Sequence, residues 1–145
     1  MNCFGPNEVR CRNNWITLKK SKRAKIGRSN IAAAGLGLFA AEFIRKDDFV
    51  MTYAGEIIGM SIDHLRESLS KDLNFYNFNS PEGTIDARFM GNISRFINHG
   101  NNGKENLESQ NIFCQGNFVI AFYANRNIEV GEELFFNYDG QGLLY

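Results

Sequence analysis

The sequence is poor in the features that mark several common classes of protein. It holds only three cysteines, Cys3, Cys11 and Cys114, and so odd and sparse a set argues against a disulfide scaffold. No apolar run approaches the roughly 18–20 residues that a membrane-spanning helix needs, and no apolar segment of a signal peptide opens the chain. We therefore expect no membrane partner and a reducing compartment, either cytosol or nucleus.

Motifs of several catalytic classes are missing as well. His64 and His99 are the only histidines, and because no cysteine or histidine stands at ligand spacing from either, we expect no metal site. Cys3 and Cys11 could supply two zinc ligands, but the remaining ligands are absent from the chain. There is no nucleophile elbow and no P-loop. Gly35-Leu36-Gly37 is no dinucleotide fingerprint, because no third glycine follows it.

The formal net charge is zero, but the charges are unevenly spread along the chain. Residues 1–30 contain eight basic residues and one acid, whereas the rest of the chain contains eight basic and fifteen acidic residues. The basic arm predicts contact with nucleic acid or a nuclear address, with ordinary solvated charge as the alternative. The acidic body would attract a basic ligand, such as a lysine-rich peptide.

Short apolar and aromatic runs between turn residues predict a mainly β domain with short helices. The predicted strands lie at residues 38–39, 49–53, 56–58, 75–78, 84–86, 111–114, 118–124 and 134–136. Residues 91–96 are expected to form a single helical turn. Residues 98–109 are polar and rich in asparagine and glycine, so they are predicted to be loop.

One segment has the pattern of an α-helix. Ser61 is the expected N-cap, and the helix would run to about Ser70. Ile62, Leu65 and Leu69 share one face at helical spacing.

Two segments that mix polar and aromatic residues are the candidate site. Residues 95–99, Arg-Phe-Ile-Asn-His, lie where ordered structure gives way to a polar loop, which is a common position for ligand contacts. Residues 135–138, Phe-Phe-Asn-Tyr, form either the last core strand or the mouth of an apolar channel that ends in a hydroxyl. Composition and spacing alone explain both segments equally well by core packing.

The order of these segments resembles that of a SET domain, the fold of many protein-lysine methyltransferases. The matching motifs are Gly35-Leu36-Gly37-Leu38-Phe39, Tyr53-Ala54-Gly55-Glu56-Ile57-Ile58, Asp86-Ala87 with residues 91–99, and residues 131–138. The resemblance covers residues 29–140 and implies small sheets and a C-terminal pseudoknot, in which the last segment passes through a loop. Residues 1–28 then correspond to a remnant of the cysteine-rich region before the domain, and residues 141–145 to a tail.

The resemblance extends to two subfamilies. Ser21-Lys22-Arg23, Ser29-Asn30-Ile31-Ala32 and residues 132–136 resemble the enhancer-of-zeste (Polycomb) type, which acts on lysine 27 of histone H3. Residues 49–51, 91–98 and 120–123 resemble equally the group that methylates lysine 9 of histone H3. The favoured function is a nuclear histone-lysine methyltransferase that represses transcription with Polycomb-like partner subunits. Two alternatives remain open: a catalytically weak or inactive SET-like module that binds basic tails or scaffolds a chromatin complex, and a methyltransferase for a lysine of a non-histone protein.

The resemblance also implies roles for single residues. Tyr138 would be the catalytic tyrosine, with its hydroxyl near the methyl group of the donor, S-adenosyl-L-methionine, and Tyr53 would bind the lysine amine. The substrate channel would be lined by Phe136, Tyr76 and Phe78, and a phenylalanine at position 136 is typical of enzymes that reach higher methylation states. The expected cofactor contacts are Gly35, Leu36, Gly37, Arg95, Phe96, Asn98 and His99.

Several residues depart from the family pattern. Leu36 replaces a bulkier residue, usually tryptophan, and Asn137 replaces an aspartate. Gly100 replaces a serine, and the proline-asparagine-cysteine that normally follows is replaced by a longer segment, residues 101–109. The basic arm adds one further expectation, which is contact with nucleosomal DNA through Lys19, Lys20, Lys22 and Arg23.

Overall fold

A computed structural model of the chain describes residues 20–69, 76–100 and 103–138, together with Ile16 and Leu18. Its strands are β1 (Ala24–Arg28), β2 (Leu36–Ala40), β3 (Phe49–Tyr53), β4 (Gly55–Ile58), β5 (Asn77–Ser80), β6 (Gly83–Gly91), β7 (Asn98–His99), β8 (Leu107–Cys114), β9 (Asn117–Ala124) and β10 (Phe135–Phe136). The described part also contains one α-helix, α1 (Met60–Leu69), and a 3-10 turn (Ile93–Phe96). The predicted mainly β fold with short helices is confirmed.

The strands form three small sheets, with the orders β1-β2, β4-β6-β5 and β3-β9-β8-β10-β7. Strand β10 pairs in parallel with β7 on one side, Phe136 opposite His99, and with β8 on the other, Phe136 opposite Leu107. Because β7 and β8 follow one another along the chain, the C-terminal segment lies between the two ends of the loop that joins them. This is the pseudoknot that the resemblance implies.

The larger of two apolar clusters among the described residues connects the three sheets. Strand β9 lies between β3 and β8, and its residues from Ile120 to Ala124 are all buried. The larger members of the core are Leu38, Ile44, Val50, Met51, Phe78, Ile97, Leu107, Ile120, Phe122, Ile128, Leu134 and Phe136. Phe136 of β10 belongs to this core, so the threaded segment is anchored by burial as well as by strand pairing.

Helix α1 begins two residues earlier than predicted, at Met60, and Ser61 lies inside it rather than capping it. The carbonyl oxygen of Gly59 accepts the amides of Ile62 and Asp63 at 3.0 and 3.1 Å and so starts the helix. The predicted apolar face is exposed, because Leu65 is 53% and Leu69 75% accessible. None of the residues of α1 is buried, so apolar packing does not hold the helix on the domain.

Polar contacts hold α1 on the sheet instead. The guanidinium of Arg66 donates to the carboxylate of Asp86 at 2.7 Å and to Glu56 at 3.0 Å. Arg88 also binds Asp86, with Nη2 at 3.1 Å from the same carboxylate oxygen. The Asp86 side chain is fully buried between the two arginines. A buried charge of this kind is tolerated only when it is paired, so Asp86 is one anchor of the helix. Asp63 is a second anchor, because its carboxylate accepts the Asn77 amide at 2.7 Å and the Thr84 hydroxyl at 3.0 Å.

The loop predicted over residues 98–109 is wrong at both ends. Asn98–His99 is strand β7, and β8 begins at Leu107 rather than at residue 111. The polar composition of residues 107–110 favours loop, but pairing with the buried β9 and with β10 determines the outcome. Between β8 and β9, Gln115 and Gly116 both have positive φ, as a tight two-residue hairpin turn requires.

Other predicted strand boundaries also differ from those in the structure. Strand β5 begins at Asn77, whereas the prediction began at Phe75, which lies outside the described residues. Strand β6 continues beyond the predicted residue 86 to Gly91, because Gly91 pairs with Gly55 of β4.

The basic arm is partly integrated into the fold. Strand β1 pairs with β2, so residues 24–28 fold with the body, although the boundary at residue 28 stays a prediction. The ammonium of Lys22 lies 2.8 Å from Asp48 and its side chain is only 15% exposed. Arg23 faces Glu42 at 3.6 Å. Lys19 lies outside the described residues, and the DNA contact remains a prediction. Among its three described members, Lys22 is less accessible than Lys20 and Arg23.

Replacing Asp86 with asparagine is expected to destabilise the fold by about 3–5 kcal/mol, because two guanidinium groups lose their buried counter-charge. Burial alone would raise the pKa of Asp86, but the hydrogen bonds from Arg88 and Arg66 outweigh it and lower the pKa below its usual range. The stabilisation by this carboxylate is therefore complete above about pH 3.9 and is lost as the pH falls through the lower pKa of the folded state.

Urea unfolding of the wild type and of Asp86→Asn, from pH 7 down to pH 3, measures this. The difference in unfolding free energy should shrink below about pH 4. Glu108→Gln, which removes an exposed carboxylate, should shift the unfolding free energy by less than about 0.5 kcal/mol. A loss of stability in Asp86→Asn that is constant over the whole pH range would contradict the assignment.

Candidate active site

A narrow aromatic channel lies between the ends of β3, β5 and β10. Its walls are Tyr53, Tyr76, Asn77, Phe78, Arg95, Ile97, Phe136 and Tyr138. The ring of Phe78 stacks on that of Phe136 at 5.6 Å, and the ring of Tyr138 lies 4.7 Å from Phe136. The free space is about 10 Å³, room for about one water molecule. The three predicted channel residues, Phe136, Tyr76 and Phe78, thus lie together with both predicted catalytic tyrosines.

Two of the tyrosines that line this channel, Tyr53 and Tyr138, are held as neutral phenols. The hydroxyl of Tyr53 donates to the carbonyl oxygen of Tyr76 at 2.6 Å, and that of Tyr138 donates to Ile97 at 3.0 Å. Burial, together with the nearby Tyr76, raises the pKa of Tyr138 to about 12. Burial, reinforced by Tyr138, raises the pKa of Tyr53 still further above its usual value. Neither group is a phenolate base at neutral pH, and each keeps oxygen lone pairs free to accept a hydrogen bond.

The two candidate segments of the sequence meet at His99 and Tyr138. The backbone amide of Tyr138 donates to Nδ1 of His99 at 3.0 Å, and the two rings lie 5.1 Å apart, edge to face. The amide of Gly100 donates to the carbonyl oxygen of Phe136 at 2.9 Å. Because Nδ1 is an acceptor in this contact, the proton of the neutral imidazole resides on Nε2. The His99 side chain therefore fixes the direction in which Tyr138 leaves strand β10.

A wider cleft opens on the other side of Tyr138. It has a volume of about 340 Å³ and is lined by Ile31, Ala34, Asn98, His99, Lys104 and Tyr138. This volume lies within the range of small-molecule sites, and its mixture of apolar and polar walls is typical of them. Tyr138 lines both the cleft and the channel, so a small molecule in the cleft and a side chain in the channel would meet at this residue.

The cleft is organised by a buried carboxylate that the sequence reading did not single out. Glu133 accepts the hydroxyl of Ser29 at 2.6 Å, the amide of Asn30 at 2.7 Å and the side-chain amide of Asn98 at 3.3 Å. A Cβ on Gly37 would collide with the same carboxylate. Glu133 thus connects the glycine segment, the central motif and the closing motif. The only signal for it in the sequence is its place in the closing motif, residues 131–138.

Asn106 is a second buried polar residue that the sequence motifs do not indicate. Its side chain is buried and donates to the carbonyl oxygen of Glu133 at 2.8 Å, while its side-chain oxygen accepts the amide of Phe135 at 2.9 Å. It comes from the segment that lacks the proline and the cysteine of the family pattern. The segment nevertheless supplies an asparagine that holds the threaded strand, so the departure leaves this attachment intact.

The residues predicted to contact the cofactor divide into two groups. Asn98 and His99 line the cleft, and the Asn98 amide also donates to the backbone oxygen of Leu36 at 2.9 Å. Arg95 and Phe96 lie on the channel side, where the guanidinium carbon of Arg95 is 4.9 Å from the Phe96 ring centre. Gly35 has a φ of +72°, which suits a backbone that approaches a ligand closely. The roles of all these residues, including Gly37, stay predictions.

The profile of the SET domain matches residues 35–139. The chain belongs to the SET-domain family. Its similarity to the enhancer-of-zeste type is confirmed by two relatives. The histone-lysine N-methyltransferase EZH2 of Chaetomium thermophilum is 36% identical over 137 residues, which cover 88% of this chain and 9% of the relative. The histone-lysine N-methyltransferase mes-2 of Caenorhabditis elegans is 36% identical over 138 residues, with 94% and 18% covered.

Solved structures of such a SET domain have the same fold. The Chaetomium thermophilum Polycomb repressive complex 2, autoinhibited and bound to S-adenosylmethionine, aligns with a TM-score of 0.78 at 37% identity over 84% of this chain. The same complex with histone H3 trimethylated at lysine 27, or with methionine at that position, aligns with a TM-score of 0.81 at 37% identity over 88%. In both, this chain corresponds to 16% of the longer one. The chain therefore spans less than a fifth of these relatives.

The described ranges contain no group of three or more His, Cys, Asp or Glu side chains that could hold a metal ion. No helix in these ranges is long and apolar enough to cross a membrane. Cys3 and Cys11 lie outside them, and Cys114 is the last residue of β8.

The packing at Gly37 gives a direct test of the carboxylate network. In Gly37→Ala the new methyl group would displace the Glu133 carboxylate from Ser29 and Asn30, so we expect a loss of about 1.5–3 kcal/mol in unfolding free energy. Gly59→Ala is the control, because no atom lies within 4 Å of its added Cβ. Urea unfolding compares the two variants, and a Gly37→Ala protein as stable as the control would show that Glu133 is not held as described.

Proposed function

We propose that this domain transfers methyl groups from S-adenosyl-L-methionine to a lysine of the histone H3 tail, with lysine 27 favoured over lysine 9. The observation that carries the proposal is the position of Tyr138, which lines the 340 Å³ cleft on one side and the aromatic channel on the other. A methyl donor in the cleft and a lysine in the channel could react only where the two spaces meet.

The cleft has the chemistry that the methyl donor requires. Apolar walls from Ile31 and Ala34 face polar groups from Asn98 and His99, and the glycine segment leaves open space beside its backbone at Gly35. When bound there, S-adenosyl-L-methionine supplies an electrophilic methyl group. The similarity to a complex solved with this cofactor supports the same assignment.

The channel selects a neutral amine. A free lysine has a pKa of about 10.4 and is an ammonium ion at neutral pH, but burial among Tyr76, Phe78 and Phe136 would disfavour that charge. The hydroxyl protons of Tyr53 and Tyr138 point to backbone carbonyls, which leaves their oxygens to accept hydrogen bonds from the amine. Since both phenols stay protonated, lysine deprotonation relies on burial rather than on a tyrosinate base. Fixed alignment of amine and methyl group then supplies much of the rate.

The histone and complex partners are part of the proposal because the chain is a small fraction of its relatives. Relatives named as histone-lysine methyltransferases, and a complex solved with histone H3, support a histone substrate. The same similarity supports Polycomb-like partner subunits, a nuclear location and a role in transcription repression. Phe136 in the channel favours higher methylation states, as expected from the family.

One observation favours a second candidate, a module that is inactive alone. The free space of the channel is too small for a lysine side chain, at about 10 Å³. The channel therefore has to widen before a lysine can enter, and partner subunits could provide that change. Assays of the chain alone and with such subunits separate an autonomous enzyme from a module that needs activation.

Replacing Tyr138 with phenylalanine is expected to lower methyl transfer from labelled S-adenosyl-L-methionine to histone H3 by about 100-fold or more, because a polar group at the reaction centre is lost. The ring contacts with Phe136 and His99 remain, so stability should fall by only about 1 kcal/mol. Tyr123→Phe removes a phenol from the separate cluster around Phe49 and Ala121, and we expect it to keep wild-type activity. Equal transfer by Tyr138→Phe and wild type would refute the proposal.

The target lysine is tested with histone H3 peptides in which single lysines are replaced by arginine. Replacement of lysine 27 should abolish labelling, whereas replacement of lysine 9 should leave it within about twofold of the intact peptide, because arginine cannot lose its proton at these pH values. Labelling that disappears only when lysine 9 is replaced would assign the chain to the other specificity. Labelling of no H3 peptide by an active protein would indicate a non-histone substrate.

A further inference from the structure

Arg95 occupies a fixed position in the wall of the channel. It lies in the 3-10 turn, and its Nη1 donates to the carbonyl oxygens of Ala87 at 3.1 Å and Arg88 at 3.4 Å. Its guanidinium carbon lies 5.7 Å from the ring centre of Tyr76 and 4.9 Å from that of Phe96. Two carbonyls and two rings therefore hold the cation beside the tyrosines at which a lysine would arrive.

The charges next to Arg95 already neutralise one another. On β6 and α1, Asp86 binds Arg88 and Arg66, and Arg66 also binds Glu56 of β4. Strands β2 and β3, which also pack on the turn, carry no ionisable side chain other than Tyr53. Within the described ranges, no carboxylate lies at ion-pair distance from Arg95. Three guanidinium groups thus face two carboxylates, and the excess charge belongs to Arg95.

The field of Arg95 reaches the channel. Burial raises the pKa of Tyr53 most strongly, and Tyr138, Asp86 and Tyr76 act in the same direction, whereas the positive charge of Arg95 opposes that rise. Tyr53 and Tyr138, whose pKa values burial raises, contribute no negative charge at neutral pH. A second cation entering the channel would therefore be repelled, whereas a neutral amine would not.

We propose that Arg95 is the fixed cation of the channel and selects the neutral amine of the inserted lysine by repelling its ammonium form. This inference rests on the proposed function, since it assumes that a lysine occupies the channel. It assigns Arg95 an electrostatic role on the channel side, in place of a contact to the methyl donor. Burial and this repulsion act in the same direction, so each lowers the pKa of the bound lysine.

The direct test is an NMR titration of a histone H3 peptide that carries ¹³C-labelled Nε-methyllysine at position 27. The peptide is bound to the full chain, with partner subunits, in the presence of S-adenosylhomocysteine, so no turnover is needed. In Arg95→Gln, which removes the charge but keeps an amide donor, the pKa of the bound amine should rise by about one unit relative to wild type. Arg95→Lys keeps a cation and should titrate close to wild type.

The pH dependence of kcat gives a second reading. Because kcat reports groups in the substrate complex, its acidic limb should move upward in Arg95→Gln by the same amount. A purely structural role would lower kcat at every pH without moving the limb. Arg45→Gln removes an exposed arginine elsewhere on the surface and should leave both readings unchanged.

The outcomes separate this inference from the proposed function. A wild type that methylates histone H3, with a bound-amine pKa unchanged in Arg95→Gln, would overturn the inference alone. A bound amine whose pKa depends on Arg95 in a protein without methyl transfer would support the inference and overturn the enzyme. Failure of the wild type to place the methyllysine in the channel would overturn both.

Discussion

The insertion of β10 between β7 and β8 is the constraint on which the rest of the site depends. Phe136 pairs with His99 on one side and Leu107 on the other, and its ring enters the core. Tyr138 follows two residues later and is directed by the Nδ1 atom of His99. Without this insertion the cleft and the channel would share no residue, because their only shared wall residue is Tyr138.

Two buried polar side chains make the insertion sustainable. Asn106 binds the backbone on both sides of Leu134, and the Glu133 carboxylate binds Ser29, Asn30 and Asn98. Parallel pairing over two residues provides few hydrogen bonds, and a buried segment needs all its polar groups satisfied. The same contacts that lock the C-terminal segment also bring the glycine segment and the central motif to the edge of the cleft. Stability and site geometry therefore have the same origin here.

The ion pairs that attach the helix and the groups that line the channel are different sets of residues. Asp86, buried between Arg66 and Arg88, uses its charge to hold a helix that buries no apolar residue. The channel, by contrast, contains phenols that stay neutral and a guanidinium bound to carbonyl oxygens and rings. The arrangement suits a reaction whose nucleophile must arrive without its proton, because none of the described residues that line the channel is a carboxylate that would pair with an ammonium ion.

The sequence by itself determined the fold class and the family, because short apolar runs and ordered motifs are local properties of the chain. It placed strands at β3 and β9 and a helix near residue 61, and its motifs brought Tyr53, Tyr138 and Asn98 into one hypothesis. Only the tertiary structure decided that residues 107–110 are strand, that the apolar face of α1 is exposed, and that Glu133, Asn106 and Asp86 are buried hubs. These outcomes depend on partners distant along the chain. Residues 107–110 pair with β9, and α1 is held by contacts that include Asp86. Glu133 and Asn106 are buried where the threaded segment around β10 passes. A polar residue looks the same in a sequence whether it is solvated in a turn or satisfied by buried partners, and only long-range packing distinguishes the two.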